Sequence, residues 1–223
     1  MSSGVVGPAL IMPDLTAEQA VQEALKSAGE RPFKETLEVS INLKDLDLTL
    51  PKNRIEEEVI LPKGRGRPIR VAVFGSPELV TKIKGAADLT VLADQMDEYF
   101  KDKRASRKRV GGYEFFVAEA PLMPMIGKRL GTVLGPRGKM PKPVAPGSDP
   151  SAMIASLKRT VRMRNKGKRT FHVPIGTRDM SPADLATNLQ VVLDRVVSKL
   201  ERGRSNISSV YVKTTMGASV RMW

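Results

Sequence analysis

Cysteine is absent from these 223 residues, histidine occurs once, and aromatic side chains make up only 4% of the chain. Without thiols there is no disulfide, zinc knuckle or thiol chemistry, and one histidine builds no metal site unless carboxylates help it. Scarce aromatics argue against stacking many bases on a broad aromatic platform, and they shift any nucleic-acid contact toward sugar and phosphate. No apolar run approaches the roughly 18–20 residues that span a bilayer. The start Met1-Ser2-Ser3-Gly4 has no charged segment leading into an apolar core. A reducing, cytoplasmic setting without membrane contact is expected. Nucleophile elbow, paired carboxylates and Gly-rich dinucleotide fingerprint are also missing. His172, inside an apolar run, reads as a packed or hydrogen-bonded histidine rather than a base. No catalytic machinery is visible and no cofactor is expected.

Positive charge is abundant, with 37 Lys and Arg against 24 Asp and Glu, net +13. Its distribution is uneven: residues 1–62 carry −5, residues 63–170 carry +15 and residues 171–223 carry +3. Such a basic middle segment is steered toward polyanions, above all RNA. A membrane-surface helix would need a bulky aromatic face opposite its cations, and none is found.

Apolar content of 41% allows real cores to be buried. Thr16-Ala17-Glu18-Gln19 has capping-box form, and Ala20, Val21, Ala24, Leu25 and Ala28 follow at helical spacing. From Phe33 the period becomes two, placing Phe33, Leu37, Val39, Ile41 and Leu43 on one face of a half-buried strand. Val59-Ile60-Leu61 reads as a second strand, ended by the Pro-, Gly- and Arg-rich stretch 62–68. Beyond it, strands at 69–74, 89–93 and 113–118 alternate with helical sequence, including a helix from the Ser76-Pro77 cap to about Lys84. That alternation implies a mostly parallel sheet covered on both faces. A short helix after Pro150, a strand pair 160–164 and 169–173 joined as a hairpin, a long helix from Ser181 and a strand at 209–212 complete the series. Residues 1–62 and 158–223 are each too few to close a core. The expected fold is therefore a discontinuous split α+β domain, 1–62 with 158–223, interrupted by an inserted Rossmann-like α/β domain, 63–157.

Four stretches carry candidate chemistry. Thr214-Thr215-Met216-Gly217-Ala218-Ser219 sets hydroxyls and one Cβ-free position at a strand end, which suits ribose and phosphate; it also fits a plain edge strand rich in Thr and Ser. The 135–143 loop fails the phosphate-loop pattern, with Val133 and Met140 in the wrong places, and reads as a stiff cationic loop whose Arg137 and Lys139 suit a phosphate backbone; it also fits an ordinary solvated loop. Of two basic runs, 101–109 reads as a solvated face. The other, 158–169, lies on the predicted hairpin, where Arg162, Arg164, Lys168 and Arg169 flank the C-terminal strand.

The Thr-Thr-Met-Gly-Ala-Ser end, the Phe33-Lys34-Glu35-Thr36 segment, the 135–143 loop and the split-domain order together resemble the ribosomal protein L-one family, the stalk proteins of the large ribosomal subunit. Nearly the whole chain shares the resemblance, and Asn53-Arg54-Ile55-Glu56-Glu57-Glu58 and residues 61–67 look most like archaeal members. The resemblance implies binding of the large-subunit ribosomal RNA stalk by the discontinuous domain, contact with tRNA at the exit site, repression of the protein's own mRNA, and a monomer off the ribosome. Carried over by position, the RNA surface comprises Glu23, Phe33, Thr36, Ser209, Thr215, Met216, Gly217 and Ser219. Phe33 and Met216 lie flat against ribose or base, Gly217 admits a backbone, and the hydroxyls pair with 2′-hydroxyls. Pro32 and Ala218 depart from the family pattern, where a basic residue and a proline are frequent. Two other classes stay open: an RNA-processing enzyme with a catalytic α/β insertion, and a basic DNA-binding module indifferent to the 2′-hydroxyl.

Overall fold

The alternation of Leu37, Val39, Ile41 and Leu43 with polar residues produces a strand, β1, over Thr36–Leu43, with all four apolar side chains buried. The computed structural model describes residues 14–83, 85–96 and 102–223. The N-terminal start, Lys84 and Lys101 lie outside the described residues. The chain divides into one unit of Met1–Val59 with Arg162–Trp223 and a second of Ile60–Val161.

In the first unit β1 is flanked by β8 (Thr170–Thr177) and β9 (Ile207–Thr214), and β9 by the short β10 (Val220–Arg221), all antiparallel. Val39 stands opposite Val173 on one side and Val212 on the other, so one face of the sheet is apolar across three strands. That apolar layer packs with helix α1 (Ala17–Lys26), which buries Ala20, Val21 and Ala24. Its start is the capping box read in the sequence: Gln19 N–H donates to Thr16 Oγ1 at 3.3 Å, and Thr16 N–H to Gln19 Oε1 at 3.1 Å. A longer helix spans Pro182–Lys199 and buries a stripe of Leu185, Leu189, Val192, Leu193 and Val196, with Ser181 capping Asp184 N–H. Each such Leu or Val contributes about 1.5–3 kcal/mol by leaving water.

The second unit holds a four-stranded parallel sheet in the order β4-β3-β5-β6, formed by β3 (Val71–Gly75), β4 (Leu89–Leu92), β5 (Phe115–Glu119) and β6 (Lys142–Val144). β3 and β5 are buried at every position because both faces are covered. Phe74, Phe116, Ile126 and Leu130 form a core on one face; Val71, Val73, Leu79, Val117 and Ile154 form another on the other. The helices are α2 (Pro77–Lys82), α3 (Lys103–Gly111), α4 (Met123–Leu134) and α5 (Ser151–Leu157); the long helix of the first unit is α6. The fold class is thus α+β with an α/β layer in the middle of the chain.

Four sequence expectations are corrected. The strands at 160–164 and 169–173 do not pair as a hairpin: β7 (Thr160–Arg164) pairs with β2 (Glu56–Ile60) in a two-stranded sheet, while β8 pairs with β1. Phe33 precedes β1 and is 50% exposed instead of facing the core. His172 points away from the core, with Nδ1 4.0 Å from the Glu38 carboxylate. The stretch 135–143 is not loop throughout, since β6 begins at Lys142.

Candidate nucleic-acid interface

The end of α1, the segment 29–36 and the turn after β9 converge at one end of the antiparallel sheet, where β1 begins and β9 finishes. Thr36 and Thr215 are laced together: Thr215 N–H donates to Thr36 O at 3.0 Å, Thr36 N–H to Thr215 Oγ1 at 3.2 Å, and Thr215 Oγ1 to Thr36 O at 3.2 Å. Met216 N–H donates to Glu35 Oε1 at 3.0 Å, and Gly217 N–H to Thr214 O at 3.2 Å. The turn is therefore fixed from within while Met216 stays 59% exposed, and Phe33, two residues before Glu35, is 50% exposed. Large apolar side chains held in water beside a rigid polar turn make this a candidate contact surface.

Gly217 is required here for closeness: a Cβ would lie 2.3 Å from Thr214 Oγ1 and 3.7 Å from Ala28 Cα. Beside the turn, Glu30, Arg31, Pro32, Phe33, Lys34, Arg178 and Asp179 line an open depression of about 400 Å³. Lys34 Nζ sits 2.7 Å from Asp179, whose carboxylate raises the lysine pKa above its ordinary value by accepting its hydrogen bond.

Thr36, Thr215, Met216 and Gly217 thus come together. Glu23 is exposed on α1, one turn before Ser27, whose N–H binds the Glu23 carbonyl. Ser219 is exposed just before β10. Ser209 stands apart, six positions from Thr215 along an extended strand, roughly 20 Å. Its hydroxyl accepts from Asn42 Nδ2 at 2.7 Å, while Asn42 Oδ1 accepts from Thr170 at 2.6 Å.

Four of the six basic candidates are engaged within the protein. Arg162 lies 3.3 Å from Glu58 and Arg164 2.9 Å from Glu56, across the β2–β7 pair. Arg137 donates to Arg107 O at 3.0 Å; Lys139 donates to Val110 O at 3.4 Å and to Tyr113 O. Both serve the carbonyl end of α3, where a cation is favoured by the helix dipole. Lys168 and Arg169 are exposed. Glu35 was missed by sequence reasoning, although an acid in the apolar phase of a strand pattern is a usable signal.

The fold and this surface define a two-unit protein in which an antiparallel α+β layer, with a braced turn at one end of its sheet, is interrupted by a parallel α/β one. The chain belongs to the Ribosomal protein L1p/L10e family, whose model matches residues 24–218. It is 50% identical over 205 residues to "Large ribosomal subunit protein uL1" of Thermoplasma acidophilum, covering 92% of this chain and 94% of that protein. Its counterparts of the same name in Methanocella arvoryzae and Methanosarcina barkeri are each 44% identical, covering 92% and 95% of this chain and 96% and 100% of theirs. This is a family of ribosomal proteins and not of enzymes, which sets aside the RNA-processing enzyme.

Proposed function

We propose that this chain is a constituent of the large ribosomal subunit that grips a stalk of ribosomal RNA through the discontinuous unit. Contact with tRNA at the exit site and repression of its own mRNA are the further roles this reading includes. The observation that carries it is the braced sheet end of Thr36, Thr215, Met216 and Gly217 beside exposed Phe33. Rigid polar groups flanked by flat apolar side chains match the ribose edge and unstacked bases of a structured RNA, and a surface already ordered binds with little entropy loss.

Charge supports a division of labour. The first unit holds 18 basic and 15 acidic residues, the second 19 and 9. A nearly neutral patch selects RNA shape, while the more basic unit supplies attraction that carries no sequence information. The test is binding of the purified chain to a stalk-like RNA hairpin with an internal loop and to its DNA counterpart across a salt series. RNA-selective binding that persists at moderate salt is expected. Equal affinity for both, falling steeply with salt, overturns the reading.

A further inference from the structure

Glu35 is 1% exposed, yet it carries a carboxylate immediately behind the proposed RNA surface. Its Oε1 takes the Met216 N–H, with Arg31 Nε 3.7 Å away; Arg178 Nη1 lies 3.8 Å from Oε2, which has no hydrogen-bond partner among the described residues. Arg178 is itself tied to Gly29 O at 2.7 Å and Ala28 O at 3.3 Å, and its N–H donates to Glu35 O at 3.0 Å. A buried carboxylate flanked by cations at these distances is a poor route to stability, since an apolar side chain of similar volume fills such a place at lower cost. Its position is explained by what it does to the turn.

Every donor of the turn is spent inside the protein. Thr215 N–H and its hydroxyl go to Thr36 O, Met216 N–H to Glu35, and Gly217 N–H to Thr214 O. Among the described residues, the carbonyls of Thr215, Met216 and Gly217 accept no hydrogen bond. Thr215 Oγ1, accepting only from Thr36 N–H, keeps a lone pair. Consecutive free backbone N–H groups make anion-binding nests, and here that chemistry is absent because the donors are taken.

We propose that Glu35 is a specificity-determining positioning residue: by engaging the Met216 amide from within, it leaves the 215–217 turn an acceptor-only surface that reads donor groups, chiefly ribose 2′-hydroxyls, and not phosphate. This rests on the RNA-binding reading above and deepens it. DNA lacks the donor, so the turn discriminates by an unfilled hydrogen bond. The positioning is independent of charge steering, which the basic unit supplies equally to either nucleic acid.

The experiment uses the full chain and the stalk-like hairpin with 2′-hydroxyl, 2′-deoxy or 2′-fluoro sugars in the internal loop. Fluorine can at most accept, so wild type is expected to lose about tenfold in affinity on either substitution. Glu35→Gln keeps an acceptor for Met216, and should hold both the affinity and the sugar preference to within about threefold. Glu35→Leu frees the amide; its RNA affinity should fall about tenfold and its 2′-deoxy penalty should shrink below about threefold. Hydrogen exchange in the free protein is the second readout: slow for Met216 N–H in wild type and Glu35→Gln, fast in Glu35→Leu.

A 2′-fluoro loop that binds as well as RNA overturns this proposal alone. So does a Glu35→Leu variant with wild-type affinity and sugar preference. A Met216 amide that exchanges freely in wild type overturns it without recourse to any variant, whatever the variants' folding. Indifference of wild type to RNA against DNA overturns both this proposal and the reading beneath it.

Discussion

Replacing Gly217 by Ala introduces a methyl group 2.3 Å from Thr214 Oγ1, roughly 1 Å short of ordinary contact. Thr214 is fully buried and, among the described residues, its hydroxyl oxygen has no hydrogen-bond partner. Rotating it away sacrifices no hydrogen bond but needs space that a close-packed core does not have. The other relief is outward movement of the turn, which stretches the Met216–Glu35 bond of 3.0 Å. Overpacking of this kind costs about 1–3 kcal/mol. If the turn moves, a loss of the same size appears in RNA binding, about five- to 150-fold. Trp223 is the sole tryptophan and lies in the same unit, so urea unfolding followed by its fluorescence reads the cost locally. In a Thr214→Ala background the obstructing oxygen is gone, and adding Gly217→Ala should then cost less than about 0.5 kcal/mol. A Gly217→Ala protein within about 0.5 kcal/mol of wild type, or an undiminished cost in the Thr214→Ala background, refutes the steric reasoning.

Lys139→Met removes the cation from the carbonyl end of α3 and should lower the stability of the second unit by about 1 kcal/mol, read by amide exchange on β5. Its affinity for the RNA hairpin should stay within about twofold, because the ammonium group is already engaged in the protein. Asn42→Ala breaks the Thr170–Asn42–Ser209 chain and frees the Ser209 hydroxyl to rotate; a fall of about threefold in RNA affinity, with unchanged salt dependence, is expected by titration. Hydrogen bonds from Ser151 hold the exposed Asp149 carboxyl below its ordinary value of 3.8. Its stabilising effect is therefore complete above that value and lost as pH falls through the lower folded-state value. Between about pH 5 and about pH 3, urea unfolding of Asp149→Asn should lose slightly less stability than wild type.

Local chemistry made much of the fold legible. Thr16 with Gln19, Ser76 before Pro77, and Ser181 before Pro182 cap helices as their types require, and side chains alternate along β1 as its sequence does. Uninterrupted apolar runs at 71–74 and 115–118 lie in buried parallel strands. Long-range pairing was not legible. Asn165-Lys166-Gly167-Lys168 has the composition of a hairpin turn, with Lys166 and Gly167 at positive φ, yet the strands it joins enter different sheets: β7 pairs with β2, where Arg164 and Arg162 meet Glu56 and Glu58, and β8 pairs with β1. β6 was hidden by Pro143, which an edge strand tolerates. Cationic charge at Arg137 and Lys139 was plain from sequence, but the carbonyls that receive it come from residues about 30 positions away. Glu35 escaped for the converse reason: its partner Met216 is 181 residues distant, and only the fold makes an acid in an apolar phase intelligible.

The central claim is that the sheet end formed by Thr36, Thr215, Met216 and Gly217 recognises RNA. Its most direct test compares wild type with Thr215→Val combined with Met216→Asp, titrated with the stalk-like hairpin and its DNA counterpart across salt. The account predicts tight, RNA-selective binding by wild type that persists at moderate salt and collapses in the variant. Binding that is equal for RNA and DNA, steep in salt and unchanged by the two substitutions contradicts it, and would assign affinity to the basic charge alone.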